Sequence, residues 1–281
     1  MRICVTGSNG QVGTEVVELA TAAGHDVVAL GSTDVGDRDL MREAIGSARP
    51  DAVIHCAAYT DVDGCESDPE RARRVNTDGV RFVSEAAEAV GEAVRVVAVS
   101  TDYVFDGEKV APYVESDPTN PLGVYGRTKL AGEQTLDLGR HAVARTSWVC
   151  GRVGRNVART VLRLADEGTV MRFVDDQRGH PTIARDLAGA LIRLAEDRAT
   201  GIWHTTNQGA VSWFEFAREV VRVGGGDPGI VTPITTAELD PPRPARRPAN
   251  SVLDSERFAP GQLLPDFRAS LPDLIAALRA G

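Results

Sequence analysis

Residues 2–13, Arg-Ile-Cys-Val-Thr-Gly-Ser-Asn-Gly-Gln-Val-Gly, decide how the rest of the chain is read. Ile3, Cys4 and Val5 make a short β-prone run. Gly7, Gly10 and Gly13 follow it in G-x-x-G-x-x-G spacing, where a helical period begins. Each glycine has a physical use in such a strand-turn-helix. Gly7 permits the tight turn, Gly10 lets backbone N–H groups approach a pyrophosphate, and Gly13 allows close packing of helix on sheet, while the helix N-terminus favours negative charge. The motif in this context predicts a dinucleotide loop.

Further βα units follow. Strands are expected at 2–6, 26–30, 52–56, 94–100 and 141–146, with helices at 13–23, 39–48, 68–90 and 124–138 between them. This alternation describes an α/β fold, a doubly wound parallel (Rossmann) sheet whose ligands sit at the carboxyl ends of the strands. Beyond residue 150 the pattern changes, with helices expected at 156–166, 184–197 and 212–223 and a strand at 201–205. The segment Asp240-Pro-Pro-Arg-Pro-Ala-Arg-Arg-Pro248 is neither helix nor central strand, because its prolines fix φ and remove donors. The organisation expected is a dinucleotide-binding domain over 1–150, with 183–205 returning to it, and a smaller C-terminal substrate-binding lobe formed by 151–182 and 206–281.

Composition narrows the class. The chain has 281 residues, 42% of them hydrophobic, enough for a sizeable core. Its net charge is −9, from 40 acidic against 31 basic residues, and no basic cluster is interleaved with aromatics, so a nucleic-acid surface is not indicated. The apolar run at the start is too short for a signal peptide, and no stretch approaches the roughly 18 apolar residues that would cross a bilayer. A cytoplasmic enzyme without a membrane partner is the expectation. Cys4, Cys56, Cys65 and Cys150 show no metal-ligand spacing and no disulfide framework.

The chemistry is expected to come from Tyr125-Gly-Arg-Thr-Lys129. The i, i+4 spacing places a phenol and an ammonium on one helical face. Ser100-Thr101 sits at the end of the fourth expected strand, where a doubly wound sheet presents its reactive groups. A carbonyl that accepts hydride develops negative charge on oxygen; a Thr101 hydroxyl would hold that oxygen while Tyr125 donates the proton. An unperturbed phenol has a pKa of about 10, and the Lys129 cation is expected to lower it. After the second expected strand comes Gly31-Ser32-Thr33, with neither the carboxylate that excludes NADP nor a cation that selects it. NADPH with NADH tolerated is therefore the expected coenzyme use, with Asp34 and Val35 near the adenine.

These residues resemble the extended short-chain dehydrogenases and, within them, the dTDP-4-dehydrorhamnose reductases. The likeness runs over nearly the whole chain. It is carried by Ala57-Ala58-Tyr59-Thr60-Asp61-Val62-Asp63, Glu66-Ser67-Asp68-Pro69, Asn76, Ser100-Thr-Asp-Tyr-Val-Phe-Asp-Gly107, Tyr125-Gly-Arg-Thr-Lys-Leu-Ala-Gly-Glu133, Arg145-Thr-Ser-Trp148, Asp176-Gln-Arg-Gly-His-Pro-Thr182 and Arg246-Arg-Pro-Ala-Asn-Ser251. The resemblance implies reduction of the 4-keto group of a deoxy-sugar nucleotide, dTDP-4-dehydro-L-rhamnose. It implies cofactor contacts from Gly7, Asn9, Gly10, Gln11, Val12, Gly13, Asp34, Val35, Ala57, Ala58, Tyr59, Asn76, Tyr125 and Lys129. Substrate contacts are implied for Thr101, Asp102, Tyr103 and Trp148, and a diphosphate role for arginines among Arg178, Arg243, Arg246 and Arg247. Arg178 and His180 depart from the family's usual uncharged residues. Some members hold Mg2+ at a homodimer contact through the equivalent of Glu15, which otherwise reads as a helix-dipole residue. Epimerases and dehydratases of the superfamily are alternatives, although Tyr103 follows Asp102 where dehydratases carry a second acid. A non-catalytic regulatory subunit, like the methionine adenosyltransferase partner, is another.

Overall fold

The computed structural model describes residues 1–259 and 262–280. The chain runs β1 (Arg2–Thr6), α1 (Gln11–Ala22), β2 (Asp26–Ala29), α2 (Arg38–Ala48), β3 (Ala52–His55), α3 (Val62–Ser67), α4 (Pro69–Arg73), a π-helical turn (Arg74–Asp78), α5 (Gly79–Val90) and β4 (Arg95–Thr101). It continues through α6 (Val124–Glu133), β5 (Ala142–Thr146), β6 (Val149–Cys150), α7 (Val157–Asp166), β7 (Met171–Val174), β8 (Arg178–Gly179) and β9 (Thr182–Ile183). The last elements are α8 (Ala184–Glu196), β10 (Gly201–His204), β11 (Val211–Ser212), α9 (Trp213–Val223), β12 (Val231–Ile234) and α10 (Phe267–Ala280).

The main sheet has the order β10-β5-β4-β3-β1-β2 and all its pairings are parallel. Winding reverses between β1 and β3, so a crevice opens at their carboxyl ends. The sheet is covered on both faces. Val16 and Ala20 of α1 pack with Leu187 and Leu191 of α8 on one side, while Met41 and Ile45 of α2 meet Val80 and Val83 of α5 on the other. A separate apolar cluster, built on Val161, Phe216, Val220, Phe267 and Leu271, forms under the C-terminal part of the chain.

The expected strands and helices of the first half appear with small boundary shifts, apart from the helix expected over 68–90. It is interrupted by the π-helical turn, because Asn76 turns its buried amide toward the loop after β3: its Oδ1 accepts from Tyr59 N at 2.8 Å and its Nδ2 donates to Tyr59 O at 3.0 Å. Such single-turn insertions mark functional sites often enough to be worth following. The helix expected to end at 138 closes at Glu133. Helix α10 has no counterpart among the expected elements; Pro272 lies inside it, but Phe267, Leu271, Leu274, Ile275 and Leu278 repeat at helical spacing into the lobe core. Residues 241–249 take neither helix nor strand. No described helix is long and apolar enough to cross a membrane.

Candidate active site

The glycine turn closes the crevice floor. Gly7 adopts φ +61, and a Cβ there would lie 2.7 Å from Ala57 N, so the first loop touches the loop after β3 at the reversal of winding. Helix α1 begins on Gly10 with no side-chain cap and no acid in its first turn, which leaves its first N–H groups free for an anion. That cradle fits a dinucleotide pyrophosphate. Asn9 and Gly10 are exposed at the mouth, and Val12 packs into the core beneath.

Gln11 behaves differently from its neighbours. Its Oε1 accepts from Gly151 N at 2.7 Å and from Asn156 Nδ2 at 3.1 Å, tying the loop after β6 to the start of α1. Val35 is buried in the core cluster with Val80 and Met41. Asp34 is ion-paired with Arg74 at 2.6 Å, which holds its carboxyl below the usual carboxylate range. A cation thus stands beside the coenzyme loop after all, delivered from a residue 40 positions away.

Strand β4 and helix α6 supply the reactive groups. Gly126 lets α6 approach Tyr103, since a Cβ there would lie 2.1 Å from Tyr103 O. Glu66 caps α6 by accepting from Val124 N at 2.6 Å. The approach brings the Tyr125 phenol close to the Thr101 hydroxyl, which donates to Asp102 Oδ1 at 3.1 Å, and sets the Tyr125 and Tyr103 rings edge to face at 5.8 Å. Burial pushes the Tyr125 phenol well above 10, with the nearby Thr101 hydroxyl opposing. The expected lowering by Lys129 is not found. The Lys129 ammonium, 4% exposed, instead donates to Val99 O at 2.6 Å, beneath rather than beside the phenol. Burial draws Lys129 down to about 8, against the pull of Glu133. Its charge acts on His55 and Cys56, so it lies beside the end of β3 and the crevice.

Below Lys129, at i+4 on the same helix face, the Glu133 carboxylate accepts from Ser100 Oγ and pairs with Arg145 at 2.7 Å, both side chains nearly inaccessible. The i, i+4 step from Lys129 would have pointed to Glu133 in the sequence; nothing there pairs it with Arg145. Asp102 is buried, and burial lifts its carboxyl to about 7. Trp148 takes φ +46, an unusual backbone for an aromatic residue, and stacks on Trp213 at 3.6 Å. Trp213 carries no signal in the sequence.

The arginines divide. Arg247 is bonded to Asp63 at 2.7 Å, Arg243 lies 3.6 Å from the same carboxylate, and Arg178 pairs with Glu215 at 3.3 Å. Exposed Arg246 has no carboxylate partner among the described residues. Glu15 is buried and held by Arg152 at 2.7 Å and Arg185 at 2.9 Å, so its lone pairs are engaged by guanidinium groups instead of being open to a metal. A cavity of about 700 Å³ lined by Arg185, Arg193, Trp203 and Phe258 lies on α8, and Thr101, Tyr125 and Lys129 are not among its lining residues.

The family model for the RmlD substrate binding domain matches residues 1–280. A dTDP-4-dehydrorhamnose reductase of Streptomyces griseus is 42% identical over 297 residues, covering 100% of this chain and 95% of its own. A probable dTDP-4,6-dihydroxy-2-methyloxan-3-one 4-ketoreductase of Streptomyces antibioticus is 40% identical, covering 99% and 97%. The crystal structure of dTDP-4-dehydrorhamnose reductase from Bacillus anthracis in complex with NADP superposes with TM-score 0.91 at 31% identity, covering 98% of each chain. Likeness that extends through both the sheet and the C-terminal lobe is more than a shared nucleotide fold, and on it the chain belongs to the RmlD substrate binding domain family.

Proposed function

We propose that this chain reduces the 4-keto group of dTDP-4-dehydro-L-rhamnose to give dTDP-L-rhamnose, with NADPH as coenzyme and NADH accepted. The observation that carries the reading is the approach of the Tyr125 phenol to the Thr101 hydroxyl at the carboxyl end of β4, with the Lys129 ammonium buried on Val99 O of the same strand and the glycine turn alongside. The relatives named dTDP-4-dehydrorhamnose reductase, and the NADP bound by one of them, support it.

When bound, the nicotinamide supplies a hydride to C4 of the sugar. Tyr125, kept protonated by burial, gives its proton to the oxygen that becomes the hydroxyl, and Thr101 orients that oxygen by a hydrogen bond. Lys129, fixed on Val99 O, holds a positive charge beside the end of β3, where it meets the nicotinamide ribose. Gly7, Asn9, Gly10 and Gly13 hold the pyrophosphate end, with Gln11 and Val12 supporting the turn. Asp34 faces the adenosine, with Val35 buried in the core beneath it, and Ala57, Ala58 and Tyr59, the last fixed by Asn76, line the crevice. Asp102, Tyr103 and the half-buried Trp148 meet the sugar, and Arg246 meets the diphosphate. The dinucleotide domain comprises 1–150 with 183–205, whose β10 extends the sheet; 151–182 and 206–281 form the substrate lobe.

The Streptomyces antibioticus relative favours a second reading, reduction of another dTDP-linked 4-keto sugar by the same groups. The test is NADPH consumption against a panel of 4-keto sugar nucleotides. Turnover of dTDP-4-dehydro-L-rhamnose well above the others supports the first reading, and preference for another sugar supports the second. Coenzyme binding without turnover of any of them overturns both in favour of a regulatory role.

A further inference from the structure

Arg74 is a charged group near the coenzyme loop that the proposed reaction does not use. The loop after β2 starts against the glycine turn: Gly31 N donates to Ser8 Oγ at 2.7 Å, and Asn9 Nδ2 donates to Ser32 Oγ at 3.2 Å. The residues just beyond therefore border the adenosine end of any dinucleotide whose pyrophosphate lies on α1. Here Asp34 and Arg74 meet at 2.6 Å, each with 46% of its side chain exposed. The guanidinium lies across Gly36, where a Cβ would stand 2.8 Å from Nη1. Asp34 Oδ1 is also fixed by Gly36 N at 2.9 Å, which holds the carboxylate in place while Arg74, at the end of a long side chain, is free to leave. The other cation close by, Arg71, lies over the Tyr59 ring at 4.6 Å.

An exposed pair of this kind is weakly held, so each partner is open to exchange. A ribose 2′-phosphate offers a guanidinium a doubly charged, forked acceptor, stronger than one exposed carboxylate. A ribose 2′-hydroxyl offers the carboxylate a donor. From this geometry we infer that the Asp34–Arg74 pair selects the coenzyme by exchange of partners. Arg74 swings from Asp34 to the 2′-phosphate of NADPH, whereas Asp34 accepts the 2′-hydroxyl of NADH. With the pair closed the two charges cancel, so neither coenzyme meets a bare like charge. The inference rests on the reading of the glycine loop as a dinucleotide site, but not on the identity of the sugar.

The test is titration of coenzyme fluorescence, without substrate, in the wild-type chain, Arg74→Gln, Asp34→Asn and the control Arg38→Gln, whose guanidinium pairs with Glu85 away from the loop. Arg74→Gln removes the phosphate partner and leaves a bare carboxylate, so NADPH affinity falls about tenfold or more relative to NADH. Asp34→Asn frees Arg74, so the ratio moves the other way. Arg38→Gln leaves it unchanged. In the wild type, added salt weakens NADPH more than NADH, and Arg74→Gln removes that difference. A ratio that moves in the same direction in both variants, or in neither, overturns the inference. Failure of the wild-type chain to bind either coenzyme overturns the dinucleotide reading beneath it.

Discussion

Replacing Tyr125 by Phe removes one oxygen and leaves the ring in place, edge to face with Tyr103 at 5.8 Å. The fold loses only a hydroxyl that lies near Thr101, a change of at most about 1 kcal/mol. Chemistry loses its proton donor. General-acid catalysis contributes about 100- to 10,000-fold, or about 3–5 kcal/mol of barrier, and the effect falls on kcat because the proton moves only in the transition state. The Tyr103 phenol is the control: it too is lifted by burial, and it lies beside the same strand end, but it is not on the helix face of Lys129. Tyr103→Phe is expected to raise KM and to lower kcat by less than about tenfold. The assay is the decay of NADPH absorbance with dTDP-4-dehydro-L-rhamnose, run beside coenzyme titration and a thermal melt. Near-normal kcat in Tyr125→Phe, with the large loss appearing in Tyr103→Phe, would refute the assignment and move the donor to Tyr103.

Glu133→Gln leaves Arg145 charged and buried without its partner, and is expected to cost about 3 kcal/mol in urea unfolding; an unchanged midpoint would show that the pair is not closed in solution. Gly7→Ala forces a side chain into left-handed backbone, 2.7 Å from Ala57 N, and is expected to abolish NADPH binding and lower Tm, whereas retained affinity would remove the turn from the site. The Lys129 ammonium, drawn down to about 8, is charged below that pH and neutral above it. Reduction is therefore expected to slow as pH rises through about 8, and Lys129→Met to lose that limb along with most activity; a wild-type profile flat across this range would contradict the role given to the cation.

Much of this was legible before any coordinates. The strand, glycine turn and helix at residues 2–22 follow from local chemistry, since the chain must turn within a few residues and only glycine tolerates φ +61 pressed against Ala57. The face shared by Tyr125 and Lys129 follows from the helical repeat. Periodicity also reads past a local exception: a single helix was expected over 68–90, and the sequence holds no sign that the Asn76 amide is drawn aside by Tyr59, because that pull comes from another strand's loop. Helix α10 forms in spite of Pro272. A local helix breaker was outweighed by apolar burial against Phe216 and its neighbours.

What the sequence determined by itself was the order of βα units, the dinucleotide turn and the residue types able to transfer a proton, all properties of segments shorter than a helix. Tertiary structure decided the partners. Lys129 lies on a backbone carbonyl instead of the phenol, Glu15 is closed by Arg152 and Arg185, Arg247 is held by Asp63, and Arg74 reaches Asp34. Charge and hydrogen bonding act over a few ångströms of space, and the residues that meet there come from elements whose separation along the chain carries no record of their contact.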